Sequence, residues 1–161
     1  MPSEACIVSL TTHEVLLSHF AACQRITAAE AQRLNHASTY SRGIRTRIDE
    51  ESVGAIGERA FAKWKGLYSE AINTFHDVPD CGAAYEIRST ATRHGKLIVR
   101  DNDDDARVYV LALVGLDGRV LLRGWMHGWE AKRAEWGFDP HGHRPAWGVP
   151  QESLHPMDKL P

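Results

Sequence analysis

The chain predicts an α/β fold, with a mixed β-sheet of about four to five strands flanked by helices. Three observations carry this expectation. Capping signals and helical periodicity fill the N-terminal part, strand-like runs follow from Ala84 to Trp125, and a short helical signal precedes a tail rich in glycine and proline. The chain has 161 residues, 43% of them hydrophobic and 25% charged, which suits one globular domain over 1–161. Within it, 1–48 reads as N-terminal helices and an Arg-rich loop, 49–136 as the core, and 137–161 as a wrapping tail.

Each element has a local reason. Thr11-Thr12-His13-Glu14 and Thr27-Ala28-Ala29-Glu30 both have capping-box form, predicting helices over 12–24 and 28–37. Ser38 to Ile48 is polar and Arg-rich and reads as a loop. Asp49 caps a third helix from about 50 to 65, stopped by Gly66. Val53, Ile56, Ala60, Trp64 and Leu67 form its apolar stripe, with Arg59 and Lys63 on the wettest side. Glu58 lies about 140° from Val53, among small residues. A carboxylate buried there must be paired or hold a metal. Its alternative is a surface pair with Lys65, at a spacing longer than the usual i, i+4 contact.

Strands are expected over 84–89, 96–100, 107–114 and 119–125. Val108 to Val114 is apolar on both faces, so it belongs in the centre of the sheet, covered on both sides. Asp117-Gly118 is a hairpin signal between the last two strands. A short helix is expected over 128–135.

Composition excludes several classes. No apolar run approaches the ~20 residues that span a bilayer, and no secretory signal opens the chain, so no membrane partner is expected. Three widely spaced cysteines, Cys6, Cys23 and Cys81, point to reduced thiols and a cytoplasmic setting. Net charge is −2, so any nucleic-acid contact must come from local clusters. Two clusters exist: Arg42, Arg45 and Arg47, then Arg88, Arg93, Lys96 and Arg100. The oligomeric state, homodimer included, stays open.

The richest stretch is Val78-Pro79-Asp80-Cys81-Gly82-Ala83-Ala84-Tyr85-Glu86-Ile87-Arg88. On a strand, Glu86 and Arg88 share one face while Tyr85, Ile87 and Ser89 share the other. A turn can fold Asp80 back beside Glu86. Two carboxylates at one point make a hard oxygen site for Mg²⁺ or Mn²⁺. An adjacent cation suits phosphate chemistry, where charge stabilisation dominates.

Pro79-Asp80 followed by Glu86-Ile87-Arg88 resembles the motif of the PD-(D/E)XK nuclease superfamily, with arginine standing where lysine is usual. The wider run, from Gly54-Ala55-Ile56-Gly57-Glu58 through Glu86-Ile87-Arg88-Ser89-Thr90 to Gly124-Trp125, also looks like small phage-encoded members. The resemblance implies a restriction-endonuclease-like core and a metal-dependent phosphodiesterase acting on nucleic acid, with DNA as the expected substrate. It implies that Asp80 and Glu86 bridge one Mg²⁺ or Mn²⁺, aided by the Ile87 carbonyl and by Glu58. Arg88 would contact the scissile phosphate, and Lys96 would replace the missing lysine. Arg42, Arg45, Arg47, Arg93 and Arg100 would bind nucleic acid. The rival is a non-catalytic binding protein that kept the nuclease fold, favoured by arginine at the third motif position.

Other patterns carry less. Asp101-Asn102-Asp103-Asp104-Asp105 lacks the glycine and glutamate of a calcium loop and reads as a turn. His141 and His143, with His127 or His155, have no fixed geometry for a metal. Trp125, Trp129, Trp136 and Trp147 read as core more readily than as base-stacking platforms.

Overall fold

The computed structural model describes residues 6–33, 43–67, 84–139, 142 and 144–161. Strand β1, Cys6–Ser9, opens it, followed by helices α1, Thr12–Arg33, and α2, Ile44–Lys65. The Thr11 cap is real. Thr11 N–H donates to Glu14 Oε2 at 2.7 Å, and Glu14 N–H donates to Thr11 Oγ1 at 3.2 Å. Lys63 adds a 2.8 Å bond to Glu14, and these contacts, Lys63 first, hold the Glu14 carboxyl below its usual range.

The second expected cap is corrected. Thr27 does not start a new helix; its hydroxyl returns to the Cys23 carbonyl at 2.9 Å, inside a continuous α1. The expected loop up to Ile48 is also shorter, because α2 begins at Ile44. Its first turns are held by a partner on α1, through an Arg47–Glu30 ion pair. The two helices run antiparallel, as the pairs Glu14–Lys63, Ser18–Arg59 and Glu30–Arg47 show. Arg59, expected on the wettest side, is half-buried because α1 covers it. Gly66 ends α2 in the left-handed region, φ 71°, as the C-cap signal predicts.

Strands β2 (Tyr85–Thr90), β3 (Leu97–Arg100), β4 (Val108–Val114) and β5 (Arg119–His127) match the expected strand regions within two residues at each end. The main sheet is mixed, in order β1-β5-β4-β2. β4 runs antiparallel to β5 and parallel to β2. A parallel neighbour needs a crossover, which β3 and the turns around it provide. β4 is central and covered on both faces, as its apolar pattern predicts. α2 packs on one face with Ile56, Ala60, Phe61, Val110, Ala112 and Val120 in a shared core.

The other face carries a second sheet, in addition to the mixed sheet the sequence predicts. β3 leaves the main sheet and pairs with β7, Ala146–Val149, which also pairs with β6, Gly137–Phe138. Leu97 and Val99 of β3, Tyr109 and Leu111 of β4, and Val149 of β7 make the core between the layers. The helix expected over 128–135 is α3, Gly128–Ala131, followed by a single 3₁₀ turn. Part of the tail packs on β5. His155 exchanges backbone bonds with Trp125, and the Trp125 indole donates to the Pro156 carbonyl at 3.0 Å. Among the described residues, no helix is long and apolar enough to cross a membrane.

α2 reaches the sheet through a small contact. A Cβ on Gly57 would run into the Ser89 side chain and stand 3.2 Å from the Ala112 Cβ. Gly57→Val is therefore expected to cost roughly 1–3 kcal/mol, as overpacking does. Urea unfolding checks this, with an unchanged midpoint as the contrary result.

Candidate functional site

β2 places its side chains as the two-residue period requires. Ile87 and Ser89 face α2, Ile87 in the shared core and Ser89 against Gly57. Glu86 and Arg88 stand beside Tyr109 and Leu111 of β4, on the side of the second sheet.

Arg88 is the centre of this face. Its Nη2 donates to Asp103 Oδ2 at 2.8 Å and lies 3.6 Å from Glu86 Oε1. Its guanidinium sits over the Tyr109 ring, 5.5 Å from the centroid. Its Nε is buried with no hydrogen-bond partner among the described residues. Glu86 is buried, 8% exposed, and its second oxygen lies 3.7 Å from Arg107 Nη1. Two guanidinium groups thus offset the charge of one carboxylate. The Tyr109 hydroxyl donates to the Asp104 carbonyl at 3.1 Å. Burial, then the nearby Asp103 charge, raises the Tyr109 phenol far above its ordinary range.

The acidic run after β3 is a turn, as expected, but a heavily engaged one. Asp103 accepts from the Arg100 N–H at 2.8 Å as well as from Arg88. Lys132 inserts its ammonium at the turn, 3.2 Å from the Asp101 carbonyl, 2.8 Å from the Asp103 carbonyl and 2.6 Å from the Asp105 carboxylate. The positive charge that a calcium loop would draw from solution is supplied by this lysine.

A cavity of about 620 Å³ runs along β2 beside this face. Among the described residues, β2 contributes Ile87, Arg88, Ser89 and Thr90; β3 and the residues before it contribute Thr92, Gly95, Lys96, Ile98 and Arg100; α2 adds Glu50 and Glu51, and β4 adds Leu111. The Lys96 and Arg100 side chains are exposed and make no ion pair among the described residues. Arg25, Arg47, Lys63, Arg88, Arg107, Arg119 and Lys132, by contrast, pair with carboxylates.

The expected site residues divide accordingly. Ile87, Arg88, Lys96 and Arg100 line one cavity, and Glu86 stands beside Arg88 outside the described lining. Arg93 is exposed in the turn before β3, outside the cavity lining. Asp80 and Arg42 lie outside the described residues. Arg45 is exposed on α2, whereas Arg47 is tied to Glu30.

Glu58 is corrected most. It is buried, as its helical position suggests, but its partner is Arg25 of α1 and not the Glu86 face. Arg25 grips both its oxygens, with Nη1 2.9 Å from Oε1 and Nη2 on Oε2. Lys65, the alternative partner, donates instead to the Pro161 carbonyl at 3.3 Å.

Sequence reasoning missed Asp103, Arg107 and Tyr109 as neighbours of Glu86 and Arg88. Their one local signal was the two-residue period that puts Arg107, Tyr109 and Leu111 on one side of β4. Which β2 residue they face depends on a long-range parallel register.

Of the remaining candidates, His155 and Trp125 have structural partners. His155 pairs with Glu130 at 3.1 Å and packs on Trp125 with ring centroids 4.6 Å apart. His141 and His143 lie outside the described residues, and among the described residues no three metal-ligating side chains converge. Trp125 is core, whereas Trp129 is 62% exposed against His127. Comparison with protein-family models, curated proteins and solved structures finds no match.

Proposed function

We propose that the protein is a metal-dependent phosphodiesterase acting on nucleic acid, with DNA as its substrate, in the cytoplasm. One observation carries the reading. The acid–cation pair Glu86 and Arg88 sits beside a cavity whose β3 wall bears two cations that no described carboxylate neutralises. Such a wall suits a phosphate backbone.

The donors that would hold the metal are Asp80, Glu86 and the Ile87 carbonyl. All are oxygen, which fits Mg²⁺ or Mn²⁺. Glu58 leaves the set because Arg25 occupies both its oxygens. The metal, when bound, supplies an activated water and offsets charge on the scissile phosphate. Glu86 must exchange at least part of its contact with Arg88 or Arg107 to take part. Arg88 stays protonated, so it cannot serve as a general base. It can turn N–H groups not committed to Asp103 toward a phosphate.

A second reading has its own observation. The guanidiniums of Arg88 and Arg107 already balance Glu86 without a metal, and Asp103 fixes Arg88. That arrangement suits a protein that binds nucleic acid without cutting it. Incubating labelled single- and double-stranded DNA with Mn²⁺, Mg²⁺ or EDTA decides between them. The enzyme cleaves with metal and not with EDTA; binding without cleavage under any condition establishes the second reading.

A further inference from the structure

The outer face of α1 is unlike an ordinary solvated helix face. Its inner side is taken up by α2: Ser18, Ala21, Ala22, Arg25 and Ile26 are buried, and Ser18 and Arg25 bond to Arg59 and Glu58. On the opposite side, every residue from 13 to 31 that falls within about 60° of Phe20, at 100° per residue, is exposed. None of them is Asp, Glu, Lys or Arg, although 25% of the chain is charged. A solvated helix face concentrates charge, so this one is built to be covered. Leu16 and Phe20 are 61% and 63% exposed, and Leu17 is exposed beside them. Glu30, on the rim of the face, is tied to Arg47 of α2.

We infer that this face is the contact of a symmetric dimer, in which two copies of the chain pack their α1 helices antiparallel. Charge is the first reason. Two identical faces repel each other when each carries net charge, and these carry no acidic or basic chain beyond the rim pair. The same neutrality gives a charged partner such as a nucleic acid nothing to grip. Shape is the second reason. The bulky side chains Leu16, Leu17 and Phe20 lie in the N-terminal half of the stripe, and the smaller Thr27 and Ala31 lie in its C-terminal half. A two-fold axis across an antiparallel pair brings each half against the opposite half of the other copy. One register then seats Phe20 on Thr27 and Leu16 on Ala31 of the second copy, large on small, which lets the helices approach closely. The axis of that register passes between Cys23 and Gln24.

Ile44, 58% exposed, opens α2 beside the small-residue end of α1, as the Glu30–Arg47 pair shows, and adds apolar surface where the second copy's Leu16 arrives. The stripe spans roughly 27 Å of helix, at ~1.5 Å per residue. A contact of that length lies at the low end of interface sizes, whose standard is ~800 Å² per partner, so dissociation in the micromolar range is expected.

Sedimentation velocity of the full chain over about 1–300 µM, a range that brackets such a constant, tests this. The mean mass is expected to rise from monomer toward dimer across the range. Phe20→Glu places a carboxylate near the axis on each copy and should weaken association at least about tenfold. Phe20 is exposed, so the fold should survive, and circular dichroism checks it. The register also sets the two Cys23 thiols facing each other near the axis. A short bismaleimide should therefore join two wild-type chains, and Cys23→Ser, which keeps Cys6 and Cys81, should not be joined. A chain that stays monomeric throughout would overturn the inference and leave the face to another occupant. A dimer as tight in Phe20→Glu as in the wild type, or one that does not crosslink through Cys23, would overturn it too. None of these readouts depends on nucleic acid, so the inference and the catalytic reading stand or fall separately.

Discussion

Arg25→Met is expected to destabilise the protein by about 3–5 kcal/mol, the cost of leaving a buried charge without its partner. The Arg25 and Glu58 side chains are 8% and 7% exposed, and two nitrogens of one meet two oxygens of the other. Removing the guanidinium takes the two-pronged partner from the buried Glu58 carboxylate between α1 and α2. Glu51 lies 4.0 Å from Arg25 and adds a second carboxylate to the same place. Replacing both members of the pair by methionine should recover most of the loss, because buried pairs often exchange for apolar side chains at little cost. Urea unfolding of the two single variants and the double variant gives the coupling directly. A double variant as unstable as Arg25→Met would contradict the pairing.

Glu86→Gln is expected to lower kcat roughly 10³-fold, equivalent to ~4 kcal/mol of transition-state stabilisation. Glutamine keeps the size of the side chain and removes its charge. Arg88 and Arg107 then lose a carboxylate at 3.6 and 3.7 Å, so the site becomes more positive. Binding of DNA should hold or tighten while cleavage slows, and steady-state kinetics separates the two. A variant with undiminished kcat would remove Glu86 from the chemistry.

The strands of the main sheet were legible wherever a local pattern sufficed. Val108–Val114 announces a doubly covered strand by being apolar on both faces, and the Asp117-Gly118 turn announces its antiparallel neighbour β5. Glu86 and Arg88 share a face for the same local reason. What escaped depends on partners far away in the chain. β1 has four residues, too few for a pattern, and gains its place only by pairing with β5. β7 lies in a stretch of glycine and proline and becomes a strand because β3 lies alongside it. Thr27 looked like a cap because its hydroxyl can serve either a helix start or the carbonyl four residues back. Arg25 and Glu58 are 33 positions apart, so nothing local joins them. Asp103 and Arg107 belong locally to a turn and a strand end, and only the register of β2 on β4 brings them to Glu86 and Arg88.

The central claim is that Glu86 exchanges its arginine partners for a divalent ion. The most direct measurement is the melting temperature with and without Mn²⁺, for the wild type and for Asp80→Asn with Glu86→Gln. An ion that binds the folded state alone stabilises it by mass action. The account predicts a rise in Tm with Mn²⁺ for the wild type and none for the double variant, with both folded in EDTA. An equal rise in both proteins would place the ion elsewhere and contradict the account.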